Sequence, residues 1–337
     1  MSADPLAGSP EPGPAPIAGD ERAPDFYIVG HPKSGTTALY EMLRSHPEIF
    51  MPDFKEPRYF ASDLPSRFRE PRASGLPAET YEDYLALFAP AEPGQRVGEA
   101  STAYIWSREA PAQIARARPD ARIIALFREP ASFLTSLHLQ LRQIRIESAP
   151  TLRQALALED ARRAGRELPP EMAGWPEVLL YRRRVRYVEQ LRRLHDAFPP
   201  EQVLVLIYED FRVDNEATLR RVLGFLGVDQ TPTLSSSEAN PSIRMRSRAL
   251  DDAVRNLATG PGPVVRSARR ALKTVVPPDA RERLRRLIWR GVVFGNPRPP
   301  DEALTLELRR EFREEVIALG EYLDRDLAGL WGYDRLP

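Results

Sequence analysis

A short loop rich in glycine and hydroxyl side chains, GHPKSGTT over residues 30–37, stands between an apolar run and a helical pattern. Its two glycines have the spacing of a loop that binds nucleoside triphosphates, but Thr36 occupies the position of that loop's lysine. The loop's own lysine, Lys33, would reach the distal group of a bound 5′-phosphate and stabilise charge on a breaking bridging oxygen. The donors predicted to hold the phosphate are Ser34, Gly35, Thr36 and Thr37. An ordinary glycine turn between strand and helix is the alternative.

A second pair of polar side chains follows a later apolar run. Arg128 directly follows the run ARIIALF, and Ser136 lies eight residues after Arg128 on a predicted helix. The end of a strand followed by a helix places this guanidinium fork and this hydroxyl at the ligand edge of a sheet. Alternatively, the segment from Arg128 to Pro130 simply opens a helix, with Glu129 stabilising its first turn.

Together these two motifs resemble sulfotransferases that use 3′-phosphoadenosine 5′-phosphosulfate (PAPS). The stretch PKSGTTALYEML resembles their 5′-phosphosulfate loop, and the resemblance implies that Arg128 and Ser136 bind the 3′-phosphate, which distinguishes PAPS from ATP. The chain is identified as a bacterial member nearest the heparan sulfate branch. The resemblance implies PAPS as co-substrate, no required metal, and a P-loop NTPase-like three-layer α/β fold.

Two further segments carry the resemblance towards the C-terminus. Tyr208 stands where cytosolic sulfotransferases contact adenine with a tyrosine, although a buried aromatic at a strand end explains it equally well. The stretch NPSIRMRSRAL resembles the late loop that closes over the 3′-phosphate. The residues that the resemblance assigns to this contact are Arg246, Ser247 and Arg248, with Arg244 as an alternative.

The predicted proton acceptor for sulfuryl transfer is Glu56. The stretch PDFKEPRYFASD resembles the segment of the heparan sulfate branch that carries its catalytic glutamate, and Arg58 stands where that branch often has histidine. A surface ion pair with Lys55 or a neighbour is the alternative role for Glu56. His31 and His138 are alternative bases, but His31 more simply shapes the loop and His138 is expected on a helix surface.

A departure from the branch lies in the stretch GEASTAYIWS. Ala100 and Thr102 stand where the heparan sulfate branch has lysine and proline. Loss of the lysine charge disfavours a sulfated glycan polymer as the acceptor. The sequence therefore predicts a small-molecule, lipid or sugar acceptor.

Short apolar runs alternate with helical patterns along most of the chain, as in a parallel sheet covered by helices on both faces. We expect about five strands, four of them at residues 26–30, 96–98, 121–127 and 202–208. The helices predicted between and after them span residues 81–88, 131–145, 178–198, 216–226 and 302–323. Residues 1–24 hold six prolines and few large side chains, which predicts a disordered leader before a domain over 25–337. Its last part, about 242–337, is predicted to be helical, with additional helices at 247–257, 264–275 and 279–293.

Composition narrows the function classes. The chain has 337 residues, 48 Lys and Arg against 48 Asp and Glu, four histidines and no cysteine, which disfavours a nucleic-acid coat, thiolate chemistry and a metal cage. Neither a membrane span nor a secretory signal is readable, so a soluble cytoplasmic protein is expected. Residues 240–300 hold 14 Arg or Lys and four acidic residues, and the helices over 264–290 could contact a membrane surface. A solvated helical face is the simpler explanation, and no nucleic-acid recognition motif accompanies the charge.

The leading hypothesis is a PAPS-dependent sulfotransferase acting on a hydroxyl or amine. A P-loop kinase is one alternative, which the missing lysine at Thr36 disfavours. A non-catalytic nucleotide-binding interaction protein is the other. The sequence leaves the acceptor and the oligomeric state open.

Overall fold

The structure is a computed structural model that describes residues 17–64, 80–172, 174–231, 244–245, 294–295 and 301–336. Five parallel strands form the central sheet in the order β2-β3-β1-β4-β5. Their bounds are β1 Phe26–Gly30, β2 Ile49–Phe50, β3 Arg96–Ala100, β4 Arg122–Phe127 and β5 Val203–Ile207. The predicted five-stranded parallel sheet is therefore confirmed. β2 was not predicted individually, because two residues are too short to show a strand period.

Helices cover both faces of this sheet. Alternate residues of a strand point to opposite faces: Tyr27 and Ile123 belong to one core cluster, and Phe26 and Ile124 belong to the other. The described helices are α1 Thr36–Arg44, α2 Tyr81–Ala86, α3 Ala110–Ala117, α4 Pro130–Gln143, α5 Leu152–Ala157, α6 Glu159–Arg163, α7 Tyr187–Ala197, α8 Tyr208–Val213, α9 Asn215–Leu226, α10 Glu302–Glu311, α11 Arg313–Tyr322 and α12 Leu327–Trp331. Helices α1, α8 and α9 supply the second cluster, and α2, α3, α4, α7, α10 and α11 contribute to the first. The predicted three-layer α/β architecture is confirmed.

The predicted helix over 178–198 is wrong in its first half. Two short 3-10 turns, Pro176–Leu179 and Arg182–Val185, precede α7. Side chains bind carbonyls that a continuous helix would use: Gln190 Nε2 donates to the Arg184 carbonyl at 3.1 Å. Arg162 Nη1 likewise lies 3.5 Å from the Leu179 carbonyl.

The C-terminal helices pack back on the domain as predicted. The predicted helix over 302–323 is divided at Phe312 into α10, beside α4, and α11, beside α7. Of the six apolar positions that predicted this packing, Leu323 is half-buried and five are buried, namely Leu304, Leu308, Phe312, Val316 and Leu319. The helices predicted at 247–257, 264–275 and 279–293 lie outside the described residues. In their neighbourhood the structure describes a two-residue antiparallel pair, β6 Arg244–Met245 and β7 Phe294–Gly295, and β6 lies beside α4.

The end of the predicted leader contacts the domain. The Gly19 amide donates to the Arg116 carbonyl at 3.0 Å, and the Asp20 amide donates to the Ala117 carbonyl at 2.8 Å. Arg22 pairs with Glu82 of α2 at 3.0 Å. Contacts with the domain thus begin before the predicted boundary at residue 25, while residues 1–16 lie outside the described part.

None of the described helices is both long and apolar enough to span a membrane.

Candidate functional site

The loop after β1 leaves hydrogen-bond donors available for an anion. Gly30 has φ 140°, and a Cβ there would lie 2.6 Å from the Leu126 carbonyl oxygen. Gly35 precedes α1 with φ 91°, and a Cβ would lie 2.8 Å from the Phe211 ring. Among the described residues, no side chain caps α1, and the buried Ser34 hydroxyl has no hydrogen-bond partner. The backbone and this hydroxyl therefore have the donor pattern of a phosphate site.

Lys33 lies in the middle of this loop with its backbone in the left-handed region, at φ 67°. A non-glycine residue in that region is strained by roughly 1–3 kcal/mol, and such strain concentrates at functional sites. The Lys33 carbonyl accepts a hydrogen bond of 2.7 Å from Arg128 Nη1. Burial, followed by the nearby Arg128 charge, lowers the pKa of the Lys33 amine. The structure thus brings the two predicted phosphate sites together.

Besides the Lys33 carbonyl, three neighbours hold Arg128 at the carboxyl end of β4. Its Nε donates to Ser132 Oγ at 2.9 Å, and its guanidinium lies over the Tyr208 ring, 4.6 Å from the centroid. The Tyr187 hydroxyl donates to its carbonyl at 2.9 Å. Ser136 is buried on α4, one turn beyond Ser132. Ser132 was not predicted, although a hydroxyl four residues after Arg128 could have indicated this hydrogen bond.

Residues near the C-terminus form hydrogen bonds to Glu129 and Glu209, which follow β4 and β5 at this edge of the sheet. Glu129 accepts hydrogen bonds from the Ser132 amide at 2.6 Å and from the Tyr333 hydroxyl at 2.7 Å. Trp331 Nε1 donates to Glu209, next to Tyr208, at 2.9 Å. Glu129 therefore caps α4, as the alternative interpretation of this segment held, and it also anchors the C-terminal segment.

The predicted acceptor segment joins the phosphate loop through Lys55. Lys55 Nζ donates to Thr37 Oγ1 at 2.9 Å and lies 3.5 Å from a Glu56 carboxylate oxygen. Arg58 pairs with the same carboxylate. The ion pair considered as an alternative role for Glu56 is therefore present, and it lies beside Thr37 of the phosphate loop.

Backbone strain also marks this segment. Six described non-glycine residues have positive φ, and three of them are Lys33, Glu56 and Arg58. The Glu56 amide donates to the Ala100 carbonyl at 3.0 Å, and the Arg58 amide donates to Ser101 Oγ at 3.0 Å. The end of β3 thus holds the strained segment in place, as expected of a preorganised site.

Both alternative histidines are buried. His31 packs against Phe133 and Tyr187, and its Nε2 lies 2.9 Å from Gln190 Oε1. Burial lowers its pKa to about 3, so the ring is neutral and shapes the loop from behind. His138 was expected on a helix surface, but that is wrong: its Nε2 lies 3.1 Å from the Ala149 carbonyl, and burial lowers its pKa.

Glu99 is a buried carboxyl close to Glu56 that was not predicted from the sequence. Glu99 is fully buried in β3, and one of its oxygens accepts hydrogen bonds from the hydroxyls of Tyr84 at 3.0 Å and Tyr104 at 2.8 Å. Burial raises the pKa of Glu99 to about 7, and the Glu56 charge contributes to this shift. The folded protein therefore holds a proton on Glu99 that the unfolded chain releases above its ordinary pKa of 4.5.

This difference predicts a pH-dependent stability. Between about pH 4.5 and 7 the native state binds more protons than the unfolded state, so the free energy of unfolding falls as the pH rises, by up to about 3 kcal/mol. Glu99→Gln should remove this dependence, because the amide does not titrate. Denaturant unfolding at pH 5 and pH 8 checks it, with the exposed Glu92→Gln as control. If the free energy of unfolding falls equally from pH 5 to pH 8 in the wild type and in Glu99→Gln, the role given to Glu99 is contradicted.

The predicted contacts Arg246, Ser247 and Arg248 lie outside the described residues. The adjoining strand β6 ends at Met245 beside α4, the helix that carries Ser136. Their assignment to the 3′-phosphate therefore stays a prediction.

Comparison with known proteins identifies the family. A model described as "Sulfotransferase family" matches residues 24–232, more than half of the chain. The chain belongs to the sulfotransferase family. The predicted family is thereby confirmed.

Individual relatives agree with this result. This sulfotransferase is similar to carbohydrate sulfotransferase 15 of Mus musculus, at 27% identity over 67% of this chain and 48% of that protein. It is also similar to heparan sulfate glucosamine 3-O-sulfotransferase 6 of Homo sapiens, at 29% identity over 68% of this chain and 57% of the relative. The chain spans about half the length of these curated relatives.

A solved structure supports the fold. The crystal structure of a sulfotransferase from Alicyclobacillus acidocaldarius matches with a TM-score of 0.60 and 26% identity, covering 92% of this chain and 98% of that one. The P-loop NTPase-like fold expected for this sulfotransferase is thus confirmed.

Proposed function

We propose that this sulfotransferase transfers a sulfuryl group from PAPS to a hydroxyl or amine of a small-molecule, lipid or carbohydrate acceptor. The observation that carries the proposal is the hydrogen bond between Arg128 and the Lys33 carbonyl, which joins the phosphate loop to the side chain predicted to bind a 3′-phosphate. The names of the relatives favour a carbohydrate among these acceptors.

Each residue near the loop has a role in this reaction. PAPS supplies a sulfur atom bonded to the bridging oxygen of its 5′-phosphate. As the acceptor oxygen or nitrogen forms its bond to sulfur, the bond to the bridging oxygen breaks, and Lys33 stabilises the charge left on that oxygen. Glu56 takes the acceptor proton. Lys55 links Glu56 to Thr37 and so orients the base towards the loop.

The 3′-phosphate and adenine are assigned to the neighbouring edge. Arg128 and Ser136 would hold the 3′-phosphate through a charged fork and a hydroxyl, and Tyr208 would lie against adenine. The loop donors Ser34, Gly35, Thr36 and Thr37 would hold the 5′-phosphate. No metal ion is required by these roles, because the cationic side chains balance the phosphate charge.

Threonine at position 36 distinguishes this proposal from a kinase, whose loop lysine would contact the terminal phosphates at that position. A non-catalytic nucleotide-binding protein would not need the strained Glu56 and Arg58 beside the loop. Contact of the basic 264–290 segment with a membrane surface and a cytoplasmic location stay predictions, and the former lies outside the described residues.

The test is calorimetric binding of adenosine 3′,5′-bisphosphate (PAP), adenosine 5′-monophosphate and MgATP. We expect selective binding of the bisphosphate by the wild type. Arg128→Ala should weaken it by about 1.5–3 kcal/mol, roughly 10–150-fold, because a charge-assisted hydrogen bond is lost. Monophosphate binding should change much less.

Arg122, at the opposite end of β4, is the matched control, since its guanidinium donates to the Phe225 carbonyl away from the loop. Arg122→Ala should leave bisphosphate binding unchanged. A preference of the wild type for MgATP, or equal losses for mono- and bisphosphate in Arg128→Ala, would reject the proposed nucleotide site.

A further inference from the structure

The short helix α12 and the turn after it bury two aromatic side chains. Gly332 ends α12 in the left-handed region, at φ 72°, and the Tyr333 amide donates back to the Ala328 carbonyl at 2.8 Å. Trp331 and Tyr333, on either side of this glycine, have exposed fractions of only 4% and 1%. Each carries one polar hydrogen that needs an acceptor when it is buried.

Their acceptors are two glutamates at the carboxyl ends of β4 and β5. The Tyr333 hydroxyl donates to Glu129 Oε1 at 2.7 Å. Trp331 Nε1 donates to Glu209 Oε2 at 2.9 Å. The two glutamates are joined to each other, since the Glu129 amide donates to Glu209 Oε1 at 3.4 Å. Residues 331–333 are thus tied to both strand ends of the proposed nucleotide site.

These glutamates lie next to the partners that orient Arg128. Glu129 accepts a hydrogen bond of 2.6 Å from the Ser132 amide, and Ser132 Oγ accepts one of 2.9 Å from Arg128 Nε. Glu209 directly follows Tyr208, whose ring centroid lies 4.6 Å from the Arg128 guanidinium. Two of the contacts that orient this guanidinium therefore involve a residue beside, or bonded to, a glutamate that the C-terminal side chains hold.

Removing a donor from Glu129 would disturb this arrangement. Glu129 is buried, and its other partners are the amides of Ala131 and Ser132 and the Arg309 side chain at 3.4 Å. A buried carboxylate that loses a hydrogen bond shifts towards its remaining donors or towards water, because an unpaired buried charge is unfavourable. Such a shift would move the first turn of α4 and with it Ser132, the partner of Arg128.

We propose that Tyr333 and Trp331 are positioning residues of the nucleotide site, which hold Arg128 in the orientation that binds a 3′-phosphate. The inference rests on the proposed function and adds to it a dependence of bisphosphate affinity on residues 327–333. Because coupling between two binding events is reciprocal, a bound 3′-phosphate should in turn stabilise these residues against the domain. Adenosine 5′-monophosphate, which lacks that phosphate, should have neither property.

The experiment compares calorimetric binding of PAP and adenosine 5′-monophosphate by Tyr333→Phe, which removes the hydroxyl and keeps the buried ring. Its PAP affinity should fall about fivefold or more, but no further than in Arg128→Ala, while monophosphate affinity changes less than about twofold. Trp331→Phe, which removes the indole N–H, should show the same selectivity. Tyr181→Phe is the matched control, because that buried hydroxyl also donates to a buried carboxylate, Glu147, at 2.8 Å, and PAP affinity should not change.

A double mutant separates positioning from a general loss of stability. Tyr333→Phe should have no further effect on PAP affinity in an Arg128→Ala background, because no guanidinium is left to orient. The reciprocal effect is measured in the wild type by amide hydrogen exchange. PAP should slow exchange at residues 329–333 more than the monophosphate does, and this measurement decides the question if Tyr333→Phe does not fold.

Failure of this inference is distinguishable from failure of the proposed function. With a wild type that binds PAP selectively, the positioning role is overturned by equal losses for both nucleotides in Tyr333→Phe, or by no loss at all. It is also overturned by an undiminished loss in the Arg128→Ala background, or by exchange that both nucleotides slow equally. A wild type that does not bind PAP would reject the proposed function, and this inference with it.

Discussion

Replacing Lys33 by alanine should lower the rate constant of sulfuryl transfer by about 10²–10³-fold while the bisphosphate still binds. The expected size follows from the loss of one preorganised donor at an oxygen that gains charge in the transition state. The Lys33 backbone is tied to Arg128 through its carbonyl, and alanine keeps that carbonyl. Single-turnover transfer from PAPS, measured beside calorimetric binding of PAP, separates chemistry from binding.

Arg116→Ala is a suitable control for Lys33→Ala, because it removes one exposed positive charge on α3 without touching the loop. Its rate should match that of the wild type. If Lys33→Ala turns over normally, Lys33 is not the group that stabilises the bridging oxygen. If it instead loses PAP binding altogether, its role is to hold the nucleotide rather than to assist bond breaking.

Glu56→Gln should lower the rate constant of transfer by about 10²–10⁴-fold, the usual contribution of a positioned general base. The amide preserves the shape of the side chain and the backbone bond to Ala100, but it cannot accept the acceptor proton. PAP affinity should change little. The measurement is the rate of transfer at saturating PAPS for the wild type and the variant.

Glu82→Gln provides the matched control, since Glu82 is an exposed carboxylate on α2 that pairs with Arg22. A Glu56→Gln variant within threefold of the wild type would exclude Glu56 as the base. His31 and His138 could not simply take its place, because both are buried and hydrogen-bonded inside the domain. Absence of transfer in the wild type itself would favour a non-catalytic nucleotide-binding protein.

Much of the fold could be predicted because three of its strands are nearly continuous apolar runs. β1, β4 and β5 are recognisable from their valine, isoleucine and leucine content, and their buried faces agree with that pattern. The two-residue β2 has no such pattern. The helix predicted at 178–198 begins only at Tyr187, because the side chains of Arg162 and Gln190 bind backbone carbonyls before it. Sequence periodicity carries no information about those contacts.

The candidate site shows the same difference between residues marked by local sequence and residues marked only by tertiary contacts. Lys33 and its loop are local in sequence, and Arg128 and Ser136 have a fixed spacing, so the sequence alone could name them as candidates, while their roles stay predictions. By contrast, Arg182, Arg183 and Arg184 are three consecutive arginines of identical chemistry, and only tertiary packing buries the third one against Trp106. Glu99 was missed for the same reason, since its raised pKa arises from burial rather than from neighbouring sequence.

Two of the four tryptophans of the chain lie directly against a charged side chain. Trp331 donates its indole N–H to Glu209, adjacent to Tyr208 on the nucleotide side. Trp106 stacks on the guanidinium of the buried Arg184. Since indole emission responds to nearby charge and hydrogen bonding, the fluorescence of each ring is sensitive to a different partner. A variant that keeps one of these two tryptophans and replaces the other three would therefore report on the surroundings of a single ring without an attached dye.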